Sequence, residues 1–170
     1  MKKYIVLFLV VFFSSCKIEP EITIHKVQGS PEYPNAKINL NEPVAIEDGY
    51  EFSFDVINYE LGMQTLKNFD YQLANSEKGQ HIHFIVNNDP YSAHYNEKFS
   101  KKLEGDSNLI LAFLSRSYHE SVKNKNAFVL TQLGEQKIDL NNEFLFYSRP
   151  KGTYRGPDTC LLYTSDAADD

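Results

Sequence analysis

Side chains that alternate with a period of two leave a chain few architectures, and alternation dominates this sequence. Residues 81–86 read His-Ile-His-Phe-Ile-Val: Ile82, Phe84 and Val86 fall on one side of an extended segment, His81, His83 and Ile85 on the other. Residues 50–59 repeat the pattern, with Phe52, Phe54 and Val56 opposed to Ser53 and Asp55. Shorter runs at 37–40, 98–103, 109–115, 127–130 and 143–147 have strand length and composition, and Ile22, Ile24 and Val27 suggest one more near the start. Turn chemistry separates these runs at 30–35, Glu47-Asp48-Gly49, 75–79, Asn87-Asn88-Asp89-Pro90 and Glu104-Gly105-Asp106. Residues 61–74 follow neither period and read as loop, and no amphipathic helix exceeds two turns. Many short strands at near-regular spacing predict an all-β domain, here an immunoglobulin-like antiparallel β-sandwich over 22–148.

The two ends of the chain are of a different kind. Lys2 and Lys3 precede an unbroken apolar run, Tyr4 to Phe13, followed by Ser14, Ser15 and Cys16. Charged, then apolar, then small is the order of a secretory signal, and the run falls short of the roughly 20 residues a bilayer span requires. Phe-Ser-Ser-Cys resembles a lipobox, in which the cysteine is acylated and becomes the first residue after cleavage. Residues 1–15 are therefore expected to be a signal peptide, Cys16 the lipidated residue, and 16–21 a polar tether. Two or three acyl chains, at ~0.8 kcal/mol per buried methylene, would make a stable anchor. The expected location is the cell envelope, as an outer-membrane lipoprotein whose partner is the membrane itself. At the other end, Cys160 to Asp170 resemble the translation of a transposon-end sequencing adapter. They are set aside from fold reasoning; 149–159 then reads as the start of a carboxy-terminal region expected to continue past Thr159.

Between these ends lie 144 residues, Cys16 to Thr159, enough for one domain with a proper core. Without Lys2, Lys3, Asp166, Asp169 and Asp170, the 17 basic and 23 acidic residues become 15 and 20, a net charge of −5. A mildly acidic domain is a poor candidate for nucleic acid. With Cys16 acylated and Cys160 set aside, no cysteine is left in the fold. That excludes a disulfide, a thiolate metal site and a cysteine nucleophile there.

Two groups of residues carry possible chemistry. His81 and His83 lie on one side of the same strand, with Cβ atoms roughly 6.5–7 Å apart, close enough for both imidazoles to reach one ion. His94 follows the hairpin and is expected to fold back beside them; His119 lies just past the 109–115 strand. Imidazole suits divalent transition metals such as zinc, copper, nickel or iron. The alternative is a set of surface or hydrogen-bonded structural histidines. The second group is cationic: Arg116 beside Ser117, then Arg149 and Lys151. Arginine forks among hydroxyls suit phosphate, sulfate or carboxylate, so an anionic small molecule or peptide is the ligand class they imply. The alternative there is ordinary loop charges paired with carboxylates. No Gly-x-Ser-x-Gly elbow, phosphate-cradling glycine loop or His-Glu-x-x-His is present.

Four long motifs carry a family resemblance: 73–84 (LANSEKGQHIHF), 90–95 (PYSAHY), 113–123 (FLSRSYHESVK) and 146–154 (FYSRPKGTY). Together they resemble a family of Bacteroidetes (flavobacterial) lipoproteins, some of whose members are labelled phosphopeptide-binding. The resemblance spans most of 22–159. It implies a lipoprotein with an immunoglobulin-like domain and a further β-rich region after Thr159, and it implies no reaction. Within its motifs sit both the histidines and the arginines. The expected function is thus non-enzymatic binding of an anion or a metal ion where His81, His83, His94 and His119 meet Arg116 and Arg149. The rival is a metal-dependent envelope hydrolase using the histidines with Glu120 or Asp89; a structural envelope protein without a small ligand is a third reading.

Overall fold

The structure is a computed structural model that describes residue 23 and residues 29–67, 69, 73–135 and 137–146. The expected first strand at 22–27, the signal and tether with Cys16, and Arg149 and Lys151 lie outside the described residues. Among those described are eight strands: β1 (Lys37–Leu40), β2 (Val44–Ile46), β3 (Gly49–Ile57), β4 (His81–Val86), β5 (Ser92–His94), β6 (Lys98–Lys101), β7 (Ser107–Ser115) and β8 (Phe128–Gly134). They form two antiparallel four-stranded sheets. In the first, β3 pairs with β1, β2 and β6; the second runs β5-β4-β7-β8.

The long alternating runs became the long strands for a simple reason. Phe52 and Phe54 of β3 and Ile82, Phe84 and Val86 of β4 all turn their apolar faces into the space between the sheets. Phe52 meets Phe84 edge-on with centroids 4.8 Å apart, and Phe99 stacks on Phe54 at 5.8 Å. Ile38 adds to this core from β1, and Ile110, Ala112 and Leu114 from β7. The chain is an all-β sandwich, as its alternation predicted.

The departures from expectation are local. β2 and β5, of three residues each, are too short to show a period in sequence. Leu40 stands opposite Phe54 but Val44 opposite Glu51, so one extra residue lies between β1 and β2 relative to β3, the signature of a bulge. The strand expected over 143–147 is not formed at 143–146. Phe144 and Phe146 are half-buried without ladder pairing and Leu145 is exposed; all three line an open cavity of about 330 Å³ with Leu109 and Ile138. Alternation there marks which side faces the protein, not a hydrogen-bonded strand.

One feature of the second sheet positions the site. β4 lies between β5 and β7 and is buried on both faces. Its inner face is core. Its outer face, bearing His81 and His83, is covered by rings from the β4–β5 hairpin, from β7 and from the loop that follows β7.

Candidate metal centre

His81 and His83 project to the outer face of β4 because residues two apart on a strand share a side. Their Nε2 atoms are 2.8 Å apart, and the rings are stacked at 4.7 Å. His81 is fully buried and His83 is 5 % exposed. The orientation of His81 is set by its other nitrogen: Nδ1 lies 2.8 Å from the Gly79 carbonyl. A ring nitrogen facing a carbonyl oxygen can only donate. In the neutral ring this leaves the Nε2 lone pair aimed at the site, an arrangement common behind metal-binding histidines.

That carbonyl is held by backbone. Residues 62–63 and 79–80 clasp each other through Gly62 N to Gln80 O and Gln80 N to Met63 O, both 2.8 Å. Gly79 has φ +88°, and a Cβ there would fall 2.4 Å from the Gly62 oxygen. Only glycine fits this close approach.

His119 completes the cluster from another element. β7 ends at Ser115, opposite His81, and the chain makes a tight turn before an isolated bridge joins Ser115 to Ser121. Arg116 N donates to Glu120 O and His119 N to Arg116 O, both 2.9 Å. His119 sits at φ +63°, a left-handed conformation unusual for a side-chain-bearing residue. This turn brings its Nδ1 to 3.5 Å from His83 Nε2. One ring nitrogen from each of His81, His83 and His119 lies within 4.8 Å of the others. A tetrahedral ion with nitrogens at 2.0–2.1 Å spaces them about 3.3 Å apart, so small ring movements accommodate one ion.

Aromatic rings wall the trio. Tyr91 stacks on His83 at 4.0 Å, Phe113 lies 5.0 Å from the same ring, and Tyr95 lies 5.1 Å from His81. The Tyr95 hydroxyl and Ser76 Oγ are 2.7 Å apart. Tyr91 and Tyr95 escaped the sequence reading, yet they alternate with the inward-facing Ser92 and His94 of the short β5.

The same alternation removes His94 from the site. Register pairs Ile82 with His94 and His83 with Ala93, so His94 shares the face of Ile82, not that of the trio. It stacks on Phe99 at 3.4 Å, and Nε2 is 2.8 Å from Ser92 Oγ. Burial, with help from Lys101 and His81, holds its pKa down to about 4. The expectation that four histidines converge is corrected to three.

The expectation that Arg116 and Ser117 offer a free anion site is also corrected. Arg116 is 3 % exposed; Nε and Nη2 donate to Pro31 O, and Nη1 donates to Ser121 O at 2.8 Å. Glu120 lies 3.6 Å from Nη1, and its other carboxylate oxygen accepts from Ser30. Ser117 is fully buried; its N–H donates to Thr65 Oγ1 and its Oγ accepts from Thr65 N, both 3.1 Å. Such fully paired buried groups brace the turn that carries His119. Of the carboxylates the hydrolase reading relies on, Glu120 is engaged in this brace. Asp89 lies at the Val86 end of β4, lining a separate cavity with Lys101 and Lys102. No family model fits the chain, and comparison with curated proteins and with solved structures returns no match.

Proposed function

We propose that this domain is a non-enzymatic binding module that holds one divalent transition-metal ion on His81, His83 and His119, carried in the cell envelope by a lipid on Cys16. The observation that supports it is the convergence of three imidazoles on a covered sheet face. Three nitrogen donors suit zinc, copper or nickel more than magnesium or calcium, which favour oxygen. The carbonyl behind His81, which turns its Nε2 toward the other rings, and the turn that brings His119 Nδ1 to 3.5 Å from His83 Nε2 support the metal reading. The hydrolase alternative loses weight because Glu120 is tied to Arg116 and Ser30. The envelope assignment draws on the amino-terminal signal and on the motifs resembling flavobacterial lipoproteins.

Elemental analysis of the full chain, purified in detergent, stripped and reloaded with zinc, tests the metal reading. One ion per chain is expected in the parent and in His94→Ala, and none retained through gel filtration in His81→Ala or His83→Ala. Equal loading of all four proteins would refute it. Labelled palmitate should enter the parent and be absent from Cys16→Ser.

A further inference from the structure

We infer that the cavity at the Val86 end of the sandwich is a second binding site, independent of the histidine trio, for a free apolar α-amino acid of leucine size. The cavity holds about 230 Å³ and is lined from β4, β6 and β7 and from the connections between them. That is below the roughly 300–1,000 Å³ of pockets that take drug-sized ligands, so its guest is small. Its inner wall is core: Phe84 and Val86 are buried, and Leu103 packs against the same cluster. Displacing water from such a wall favours a guest with an apolar body.

The mouth of the cavity carries charge of both signs. Residues directly opposite on paired strands share a side, and Lys101 stands opposite Tyr50 as Phe99 stands opposite the buried Phe52. Lys101 is therefore on the core side of β6 and half-buried, whereas Lys102 is exposed and paired with Asp48 at 2.8 Å. Burial first, and the charge of Lys101 second, hold down the His94 pKa, which places that charge close to the interior. Asp89 and Glu104 line the same cavity from the β4–β5 and β6–β7 connections. Asp89 is fixed there by its N–H, which donates to Val86 O at 3.0 Å.

A buried amide completes the lining. Asn108 keeps step on β7 with the core residues Ile110, Ala112 and Leu114 and is 3 % exposed. An amide is costly in such a place unless its polar atoms are engaged. Its Oδ1 accepts from Asn87 Nδ2 at 3.1 Å, and Asn87 Oδ1 accepts from Leu109 N at 2.9 Å. Asn108 Nδ2 carries two hydrogens, of which Gly105 O, at 3.5 Å, takes at most one. A carboxylate between Lys101 and this amide would accept from both, one of the bonds being charge-assisted. An ammonium beside it would meet Asp89 and Glu104. A free apolar amino acid carries those two charges on one carbon, with its side chain left for the Phe84 and Val86 wall.

The test titrates leucine into the full chain in detergent and follows backbone amide NMR shifts. Saturable shifts centred on residues 84–89 and 101–108 are expected, in the parent and equally in His81→Ala. Isocaproate, which lacks the ammonium, and isoamylamine, which lacks the carboxylate, should each bind about tenfold more weakly than leucine. Lys101→Met should weaken leucine and isocaproate about tenfold and leave isoamylamine unchanged. Asp89→Asn combined with Glu104→Gln should weaken leucine and isoamylamine and leave isocaproate unchanged. A general loss of structure would weaken all three ligands alike and could not produce this crossed pattern. The absence of a saturable shift with leucine would overturn the proposal, as would isocaproate binding the parent as tightly as leucine. Leucine binding that vanished in His81→Ala would move the site to the trio and overturn it as well.

Discussion

Two buried polar clusters sit three residues apart in this protein and are built on opposite plans. Around Arg116 every strong donor meets an acceptor: Pro31 O, Ser121 O and the Glu120 carboxylate. Around His119 acceptor-capable nitrogens of three rings face one another within 4.8 Å. The first cluster closes on itself, as buried polar groups in a stable interior do. The second brings ring nitrogens of three histidines together, the arrangement from which the proposed metal site is argued. Burial and polarity alone do not separate a brace from a candidate site.

The comparison breaks hardest at Arg116. Arg116→Met removes the buried guanidinium that binds the half-buried Pro31 and Ser121 carbonyls and Glu120, and is expected to cost about 3 kcal/mol in urea unfolding. Zinc binding should weaken with it, because the turn that presents His119 loses its clamp. A cost below about 1 kcal/mol would show that the cluster does not brace the fold.

A smaller effect probes the other cluster from behind. Gly79→Ala must leave the left-handed region or push back Gly62, at a cost of about 2 kcal/mol. It also moves the carbonyl that orients His81, so zinc affinity should fall about 10–100-fold in competition with a chelator. Unchanged affinity beside lowered stability would mean that this carbonyl does not tune the ligand.

The smallest effect belongs to His94, the histidine on the wrong face. Its folded pKa, about 4, lies below the ordinary value near 6.5. Between those values the unfolded chain binds a proton that the folded chain refuses, so stability present above pH 6.5 is lost as pH falls toward 4. The ring keeps some contact with solvent, which reduces the effect to about 1 kcal/mol. Urea unfolding at pH 7 and pH 4.5 should show a smaller drop in His94→Gln than in the parent; an identical drop would show that His94 does not contribute.

The fold was legible wherever large apolar residues alternated over six or more positions. That is why β3, β4 and β7 were read close to their true bounds, while β2 and β5 were not read at all. The shared side of His81 and His83 followed from strand geometry. The side of His94 depended on hairpin register, where one residue decides the face, and the hairpin sequence leaves that open. Arg116 could be seen as a charge, but its partner Pro31 lies 85 residues away, and sequence holds no sign of such a pairing. His119 entered as one histidine among several; the turn that aims it depends on long-range bonds of the same sort.

The trio does not stand on uniform ground, and this bears on how long a guest would stay. Two of its members ride on a strand laddered on both edges and roofed on both faces. The third hangs from a turn closed by a handful of hydrogen bonds. Regions of one protein open with very different free energies, and a turn lifts long before a central strand frays. Escape would begin at His119 while the strand stayed intact, so the residence time of an ion would follow the lifting of five residues and not the unfolding of the domain.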